Sequence, residues 1–292
     1  MNILTFDIEE WFHILDNEST KTEKDWHQYP ERIHQNMDRL FALLEDNNVK
    51  ATFFCLGWVA EKYPDVIKEI AKRGYHIGSH SNLHPLVYEL SPEKFEEDLR
   101  ISLDQLEQAI GEKVTSYRAP GFSITENALW SFEILAKHGI THDASVFPAA
   151  RSHGGLPILD TPQPFLLKYN GIELKEFPIN YHAALGQKLI FSGGGYFRIL
   201  PYPLIKKLFS SGKYNMTYFH PRDFDPDQPI IPELSAIRKF KSYVGLKGAF
   251  KKLDNLIKDF KFVDLLTADD QIDWDKAKIV DLSNFKQTVK PE

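Results

Sequence analysis

The chain lacks several features that would place it in other protein classes. It has one cysteine, Cys55, so an internal disulfide is impossible, and the apolar neighbours of Cys55 predict a buried, reduced thiol. No apolar stretch approaches the length of a membrane-spanning helix, and the N-terminus has neither the basic region nor the long apolar region of a secretory signal. We therefore expect a cytoplasmic protein.

The chain also lacks a large excess of charge of either sign. The formal net charge of the 292 residues is −6, and acidic and basic residues are interspersed. This balance gives no reason to expect a nucleic acid or an anionic membrane as a partner. With 42% hydrophobic residues, the chain can still bury a large core.

What the sequence does contain is an alternation of short β-like runs and amphipathic helical segments over its first 150 residues. The predicted strands are 3–8, 51–56, 75–79, 113–117 and 140–144. The predicted helices are 31–45, 59–73, 91–110 and 126–138. Strands and helices at this spacing predict parallel βαβ units, and hence an α/β sheet or barrel.

The second half of the sequence is less regular. Residues 147–187 hold five prolines and one predicted strand, at 173–179. The later predicted elements are a helix at 202–210, a strand at 215–219, lysine-rich helical segments from 233 to 260 and a last strand at 262–265. No internal repeat, low-complexity tract or clear linker interrupts the sequence, so we expect a single domain over residues 1–292.

Two acidic side chains share a face at the end of the first predicted strand. Alternate side chains of an extended segment point the same way, so Asp7 and Glu9 lie together while Ile8 faces the other way. Such a pair is costly unless a cation or an arginine compensates its charge. A solvated surface pair is the alternative, but the following Trp11 makes a purely solvated loop a poorer description.

Two histidines follow the third predicted strand, four residues apart. This spacing brings the imidazoles of His80 and His84 to one side of a helical turn, while Pro85 disfavours the α region for His84 and favours a loop or a single turn. Two histidines and one carboxylate leave open positions for water and substrate. The set is therefore typical of a catalytic metal site rather than a structural one.

Two further residues stand at strand ends. Arg118 could pair with one of the strand-end acids, or it could be a surface arginine before the Pro-Gly turn. His220 could protonate a leaving amine near neutral pH, although a histidine in this position is more often a hydrogen-bonded core residue. Asp225 or Asp227 could orient His220.

A glycine-rich run, Gly193-Gly194-Gly195-Tyr196-Phe197-Arg198, allows a close backbone approach and then presents aromatic and cationic side chains. It lacks the Lys-Ser/Thr pair of a phosphate-binding loop. Asp143 and Ser145 end the fifth predicted strand on one face.

The order of these motifs resembles that of the polysaccharide deacetylases of carbohydrate esterase family 4, which share the nodulation-deacetylase homology domain. The matching segments are Thr5-Phe6-Asp7-Ile8-Glu9, His80-Ser81-Asn82-Leu83-His84, Arg118-Ala119-Pro120-Gly121, Asp143-Ala144-Ser145-Val146-Phe147 and Tyr218-Phe219-His220. Each segment is weak evidence alone, whereas all five in the expected order between residues 5 and 220 are strong evidence.

The resemblance implies a distorted (β/α) barrel of about seven parallel strands, with a divalent metal, usually zinc, in an open groove. The implied roles are a general base at Asp7, metal ligands at His80 and His84, a partner for the base at Arg118 and a general acid at His220. The resemblance also implies an N-acetylated glycan or amino-sugar precursor as the substrate.

The sequence offers two candidates for the third metal ligand, because the family commonly has Asp-Asp in its first motif and this chain does not. Some family members have Asp-x-Asp in this motif, which favours Glu9 as the third ligand, and strand alternation supports the same choice. Glu10 stays an alternative. We expect the substrate-binding residues to be Trp11, Pro120, Phe122, Asp143, Ser145, Gly194, Tyr196 and Arg198.

Three runs resemble one subgroup, encoded in bacterial exopolysaccharide and surface-glycan biosynthesis loci. They are the Asp-x-Glu-Glu-Trp start, the Gly-Gly-Gly-Tyr-Phe-Arg run and the His-Pro-Arg-Asp-Phe-Asp-Pro run. This resemblance implies a surface glycan or its precursor, and the missing export signal favours a cytoplasmic intermediate. Two alternatives stay open: a hydrolase of another amide, such as a formamide on a sugar lipid or a cyclic imide, and a non-catalytic metal-containing glycan-binding module. The joint presence of Asp7 and His220 argues against the second.

Overall fold

The computed structural model describes residues 1–15, 17–150, 153–159, 161–184 and 187–285, so the predicted domain and the segment 147–187 lie partly outside it. The strands are β1 (Asn2–Ile3), β2 (Thr5–Ile8), β3 (Thr52–Cys55), β4 (His76–Ser79), β5 (Ser116–Tyr117), β6 (His142–Asp143), β7 (Phe165–Tyr169), β8 (Ile172–Glu176), β9 (His182–Ala184), β10 (Gln187–Leu189), β11 (Asn215–Met216) and β12 (Lys278–Asp281). The α-helices are α1 (Glu23–Trp26), α2 (Ile33–Asp46), α3 (Gly57–Lys62), α4 (Pro64–Lys72), α5 (Pro92–Ile110), α6 (Ser131–Lys137), α7 (Gly194–Ile199), α8 (Tyr202–Ser211), α9 (Ala236–Tyr243), α10 (Leu246–Asp259) and α11 (Leu265–Gln271).

The central sheet has eight strands in the order β12-β7-β8-β6-β5-β4-β3-β2. Every neighbouring pair from β2 to β8 is parallel, and β7 runs antiparallel to β8. All residues of β2 and β3 are buried, as expected for parallel strands with helices packed on one face and a side-chain core on the other. The predicted parallel βαβ architecture is confirmed.

The sheet continues past β2 and curls toward closure. β1 pairs in parallel with β11, and isolated parallel bridges join Phe6 to Phe219 and Tyr218 to Gly193. On the far side, the Asn180 side-chain carbonyl accepts a hydrogen bond from the Met216 amide at 2.9 Å. A side-chain hydrogen bond thus joins β11 to the segment that follows β8.

Several boundaries differ from the prediction for local reasons. The helix predicted at 59–73 is two helices, because Tyr63 precedes Pro64 and takes an extended φ of −132°. The irregular stretch contains β7, which forms a hairpin with β8. The strand predicted at 262–265 is a single bridge at Val263, since α11 begins at Leu265.

Helix α5 shows how closely local chemistry can set an element's ends. The Ser91 side chain accepts a hydrogen bond from the Lys94 amide, and Pro92 occupies the first turn, where its missing N–H is not needed. The helix ends at Gly111, whose φ of 77° is the left-handed conformation that favours glycine. Among the described residues, no helix combines the length and the apolar character needed to cross a bilayer.

Candidate metal centre and active site

The predicted motif residues converge on a cleft of about 650 Å³ at the carboxyl ends of the parallel strands. This is the edge where α/β folds usually place their functional sites. The cleft wall includes Asp7, Glu9, His80, His84 and His220. A second cavity, of about 530 Å³ beside Met1, Thr161 and Tyr214, has neither acidic residues nor histidines among the described residues that line it.

Three of these side chains form a compact group of metal-ligand atoms. One ligand atom each from Glu9, His80 and His84 lies within 4.8 Å of the others. The Oε2 atom of Glu9 is 3.0 Å from His84 Nε2, yet it is buried without a hydrogen-bond partner among the described residues. The Nδ1 atom of His80 lies 2.7 Å from the Arg118 carbonyl oxygen, which leaves Nε2 available as a ligand.

The protonation of this group suits a cation. Burial lowers the pKa of His80 to about 4 and outweighs the opposing charges of Asp7 and Glu9, so its imidazole is neutral at pH 7. Burial raises the pKa of Glu9, but the nearby imidazoles of His84, His220 and His13 lower it well below its usual range. A neutral imidazole and an ionised, orphaned carboxylate fit a divalent cation.

The loop between the two histidines is fixed by its backbone hydrogen bonds. The amides of Asn82 and Leu83 donate to the Asp98 carboxylate at 2.8 and 3.1 Å. The His84 amide donates to the Ser81 hydroxyl at 3.1 Å, and His84 has a φ of 60°. The residue before Pro85 therefore avoids the right-handed α region, as the sequence indicated.

The structure places Glu10 in another role. Its Oε1 accepts hydrogen bonds from the Arg32 and Ile33 amides at 2.7 and 3.0 Å, where α2 begins, and its Oε2 accepts from the Trp11 amide at 3.2 Å. These amides are the ones that the first turn of a helix leaves without partners. Of the two candidate acids, only Glu9 turns its carboxylate toward the histidines.

Asp7 is held by a completely buried arginine. The Nη1 atom of Arg118 donates to Asp7 Oδ1 at 2.7 Å and to the Thr5 hydroxyl at 2.7 Å. The guanidinium carbon lies 4.3 Å from the centre of the Phe54 ring, which packs against its plane. Asp7 is thereby fixed by one oxygen, while Oδ2 lies 3.9 Å from His220 Nε2.

His220 is oriented by the acid three residues later. Its Nδ1 lies 3.0 Å from Asp223 Oδ2, which leaves Nε2 in the cleft, 3.9 Å from Glu9 Oε1. Burial lowers the pKa of His220, but the charges of Glu9, Asp223 and Asp7 and the hydrogen bond to Asp223 outweigh it and raise the pKa to about 9. A proton on this imidazole at pH 7 is what a general acid needs.

The prediction that Asp225 or Asp227 orients His220 is wrong. The short 3₁₀ turn Pro221–Phe224 brings Asp223 back over His220. The Asp225 carboxylate instead accepts hydrogen bonds from Arg32 Nη2 at 2.8 Å and from the Asn36 side chain at 3.1 Å.

The predicted substrate-binding residues divide into two groups. Phe122, Gly194, Tyr196 and Arg198 line the cleft, whereas Trp11, Pro120, Asp143 and Ser145 do not. Trp11 lies outside the cleft most clearly, because its indole N–H donates to the Pro30 carbonyl at 2.9 Å inside an aromatic cluster. The buried Asp143 accepts a hydrogen bond from the Ser145 hydroxyl at 2.6 Å, and that hydroxyl accepts one from the Ala119 amide at 2.8 Å. Both residues therefore support the segment after Arg118.

Within the glycine-rich run, Gly193 makes its close backbone approach to Tyr218. A Cβ on Gly193 would lie 2.4 Å from the Tyr218 carbonyl oxygen. Arg198 is buried and donates to the carbonyls of Lys241 and Ser242 at 2.9 and 2.8 Å. Its Nε also lies 3.1 Å from Asp223 Oδ1, so Arg198 stabilises the residue that orients His220.

Sequence reasoning missed His13, which lines the cleft beside the metal-ligand group. Its Nδ1 accepts a hydrogen bond from the Glu10 amide at 3.1 Å, so Nε2 carries the proton and has no partner among the described residues. Burial lowers the pKa of His13 to about 3, and the imidazole is neutral. Its place in Trp11-Phe12-His13, directly after the first motif, was a signal that could have identified it.

Comparison with known proteins divides the chain into two regions. Residues 4–142 match a family model described as Polysaccharide deacetylase, and residues 144–269 match one described as a domain of unknown function, DUF3473. A peptidoglycan-N-acetylglucosamine deacetylase of Bacillus cereus is 36% identical over 91 residues, which are 31% of this chain and 33% of that protein. The chain spans roughly 30% of the length of the curated relatives it matches first.

Two solved structures show the same fold. One, from Mycobacterium smegmatis and provisionally assigned as a polysaccharide deacetylase, has a TM-score of 0.61 at 18% identity and covers 100% of this chain and 94% of that chain. The other, a peptidoglycan N-acetylglucosamine deacetylase in complex with 4-naphthalen-1-yl-N-oxidanyl-benzamide, has a TM-score of 0.50 at 18% identity and covers 91% of this chain and 86% of that chain. The predicted distorted (β/α) barrel is confirmed, and the match to the polysaccharide deacetylase model covers residues 4–142, a little under half of the chain.

Proposed function

We propose that the protein is a metal-dependent hydrolase that removes N-acetyl groups from an amino sugar of a bacterial surface polysaccharide or its precursor. The observation that carries the proposal is one cleft in which a Glu-His-His ligand group, an arginine-held aspartate and an aspartate-held histidine meet. His220 Nε2 lies 3.9 Å from both Asp7 Oδ2 and Glu9 Oε1, so base, acid and ligand group surround one small volume.

The ligand group would hold the metal through Glu9, His80 and His84. Two histidines and a carboxylate with open positions are typical of catalytic zinc, and we propose zinc as the cation. When bound, it supplies a Lewis acid that polarises the amide carbonyl and makes a nearby water more acidic.

The protein's own side chains would move the protons. Asp7, fixed by Arg118, accepts a proton from the attacking water through the oxygen that faces the cleft. The water oxygen bonds to the acetyl carbon, the carbon–nitrogen bond breaks, and His220 donates its proton to the leaving amine. The products are acetate and a free amino sugar. Asp223 keeps the Nε2 atom of His220 aimed into the cleft throughout.

The substrate class is supported by the named relative and by the site itself. The curated relative from Bacillus cereus acts, by its name, on N-acetylglucosamine of peptidoglycan. A glycan-binding module would need neither a held base nor a held acid, so the Asp7–Arg118 and His220–Asp223 pairs favour hydrolysis over binding alone. Other amides on a sugar, such as a formamide, are distinguished by the product released.

The test is product identification with zinc-loaded protein and N-acetylglucosamine oligomers of defined length. We expect acetate release, a mass loss of one acetyl group per converted sugar, and new free amines. Asp7→Asn, loaded with the same metal, is the matched control and should be nearly inactive. Formate release from an N-formyl sugar without acetate release would contradict the acetamide proposal, and an unchanged rate in Asp7→Asn would contradict the role of the base.

A further inference from the structure

Helix α9 carries large apolar side chains that the fold leaves in solvent. Ile237 and Phe240 are 70% and 61% exposed, and no residue of α9 is buried. Ile230, 63% exposed, precedes Ile231, whose amide donates to the Tyr243 hydroxyl of α9 at 2.9 Å. These are the three most exposed large hydrophobic side chains of the described residues, and they lie on or beside one helix.

The exposure is unusual because α9 is amphipathic. Ile237 and Phe240 follow the three-residue spacing of a single helix face, Lys241 borders Ile237 on that face, and Arg238 and Lys239 lie on other faces. A surface helix of this pattern normally turns its apolar stripe to the core. The next helix, α10, does so and buries Leu246, Ala249, Leu253, Leu256 and Ile257.

The charge along α9 and the first part of α10 has one sign. Residues 235–253 contain six basic residues and no acidic residue, although the whole chain has a net charge of −6. Lys252 turns inward and donates to the Arg198 carbonyl at 2.7 Å, and Lys251 pairs with Asp254. The other lysines of the stretch, Lys239, Lys241 and Lys247, have no acidic partner among the described residues.

This combination selects the kind of partner. A second copy of the chain docked face to face would bring Lys239 and Lys241 against the same lysines, which costs energy at close range. A partner with an apolar interior and an anionic surface would complement both the apolar side chains and the lysines. A bilayer with acidic headgroups has that structure. We propose that α9 docks the protein peripherally on an anionic lipid bilayer, with Ile237 and Phe240 entering the interface and Lys239 and Lys247 contacting headgroups.

The docking helix is also part of the cleft. Arg238, Lys241 and Ser242 of α9 line it, and Arg198 links the carbonyls of Lys241 and Ser242 to Asp223. Docking through α9 therefore sets the mouth of the cleft at the membrane surface. If the proposed function holds, the glycan that reaches the site is tethered to the membrane. The net charge of the whole sequence concealed this surface, because the acids that balance it lie elsewhere.

The test is co-sedimentation of the full chain with vesicles of phosphatidylcholine alone and with added phosphatidylglycerol. We expect binding to the anionic vesicles that weakens as salt is raised. The double variant I237E/F240E should lose at least about tenfold in affinity for the anionic vesicles, because charge replaces the apolar contact and repels the headgroups. The control is I279E on β12, where the native side chain is 55% exposed, and it should bind like the wild type.

Equal binding by I237E/F240E and wild type, or no binding by wild type, would overturn the proposal. A different result would also overturn it: the wild type does not bind vesicles but forms a concentration-dependent dimer, detected by light scattering, and the double variant does not dimerise. The apolar face of α9 would then join two copies of the chain. Equal thermal melting of the variants checks the fold. Acetate release is measured separately, so the expected vesicle result without any deacetylation would support docking and overturn the proposed function.

Discussion

The two walls of the cleft are held in place in different ways. The metal wall, formed by Glu9, His80 and His84, comes from the region that matches the deacetylase model, and its side chains are almost completely buried. The acid wall, formed by His220, Asp223 and Arg198, comes from the region that matches DUF3473, and the His220 side chain is 24% exposed.

The difference lies in what fixes each wall. The metal wall is tied to the core by two hydrogen bonds, one between His80 and the Arg118 carbonyl and one from the Asn82 amide to the Asp98 carboxylate. The acid wall is held by the ion pair between Asp223 and Arg198, and Arg198 is anchored on α9, a helix without buried residues. We infer that the metal wall fixes whether the chemistry occurs, while the acid wall adjusts its rate and its dependence on pH.

The largest effect that separates the walls is expected for His220→Ala. Loss of the general acid should lower the rate of acetate release by about 10²–10⁴-fold. The zinc content should stay at the wild-type level, because His220 is outside the ligand group. Metal analysis and acetate release on the same preparation measure both. His142→Ala removes a histidine outside the cleft as a control, and loss of zinc in His220→Ala would break the distinction between the walls.

A smaller effect is expected for Asp223→Asn. The negative charge of Asp223 contributes to raising the pKa of His220 to about 9, so its removal should lower that pKa by about one unit or more. Because the acid must be protonated, activity should then be lost at a lower pH as the pH rises. The pH profile of kcat measures this, with zinc content as the control. If the activity of Asp223→Asn falls at the same high pH as that of the wild type, Asp223 does not raise the pKa of His220.

The smallest effect is expected for Trp11→Phe, outside both walls. The change removes the indole hydrogen bond to the Pro30 carbonyl and should lower the free energy of unfolding by about 1 kcal/mol. The KM for glycan oligomers should not change, because Trp11 does not line the cleft. Urea denaturation and steady-state kinetics test the two statements, and a large rise in KM at unchanged stability would restore Trp11 to substrate binding.

The sequence predicted the metal wall better than the acid wall. Asp7, Glu9, His80 and His84 stand within two short segments whose strand-end positions follow from periodicity, so their meeting could be expected. The choice between Glu9 and Glu10 could not be made from these segments. It depends on the amides of Arg32 and Ile33, which reach Glu10 only when α2 packs against the strand end.

The acid wall depends on contacts that no local pattern contains. Asp223 rather than Asp225 faces His220 because of one short 3₁₀ turn, and Arg198 reaches carbonyls more than forty residues further along the chain. The amphipathic pattern of α9 was present in the sequence, but a pattern does not say whether another element covers the apolar face. Burial of that kind is decided by tertiary packing.

The most direct test of the central claim compares Glu9→Gln with Glu10→Gln in one preparation series. Metal analysis of the zinc-loaded proteins should show about one zinc per chain in the wild type and in Glu10→Gln, and strongly reduced zinc together with lost acetate release in Glu9→Gln. Glu10→Gln should instead lose some thermal stability, since a neutral amide is a weaker partner for the start of α2. Full zinc and full activity in Glu9→Gln, with both lost in Glu10→Gln, would contradict the assignment of the metal centre.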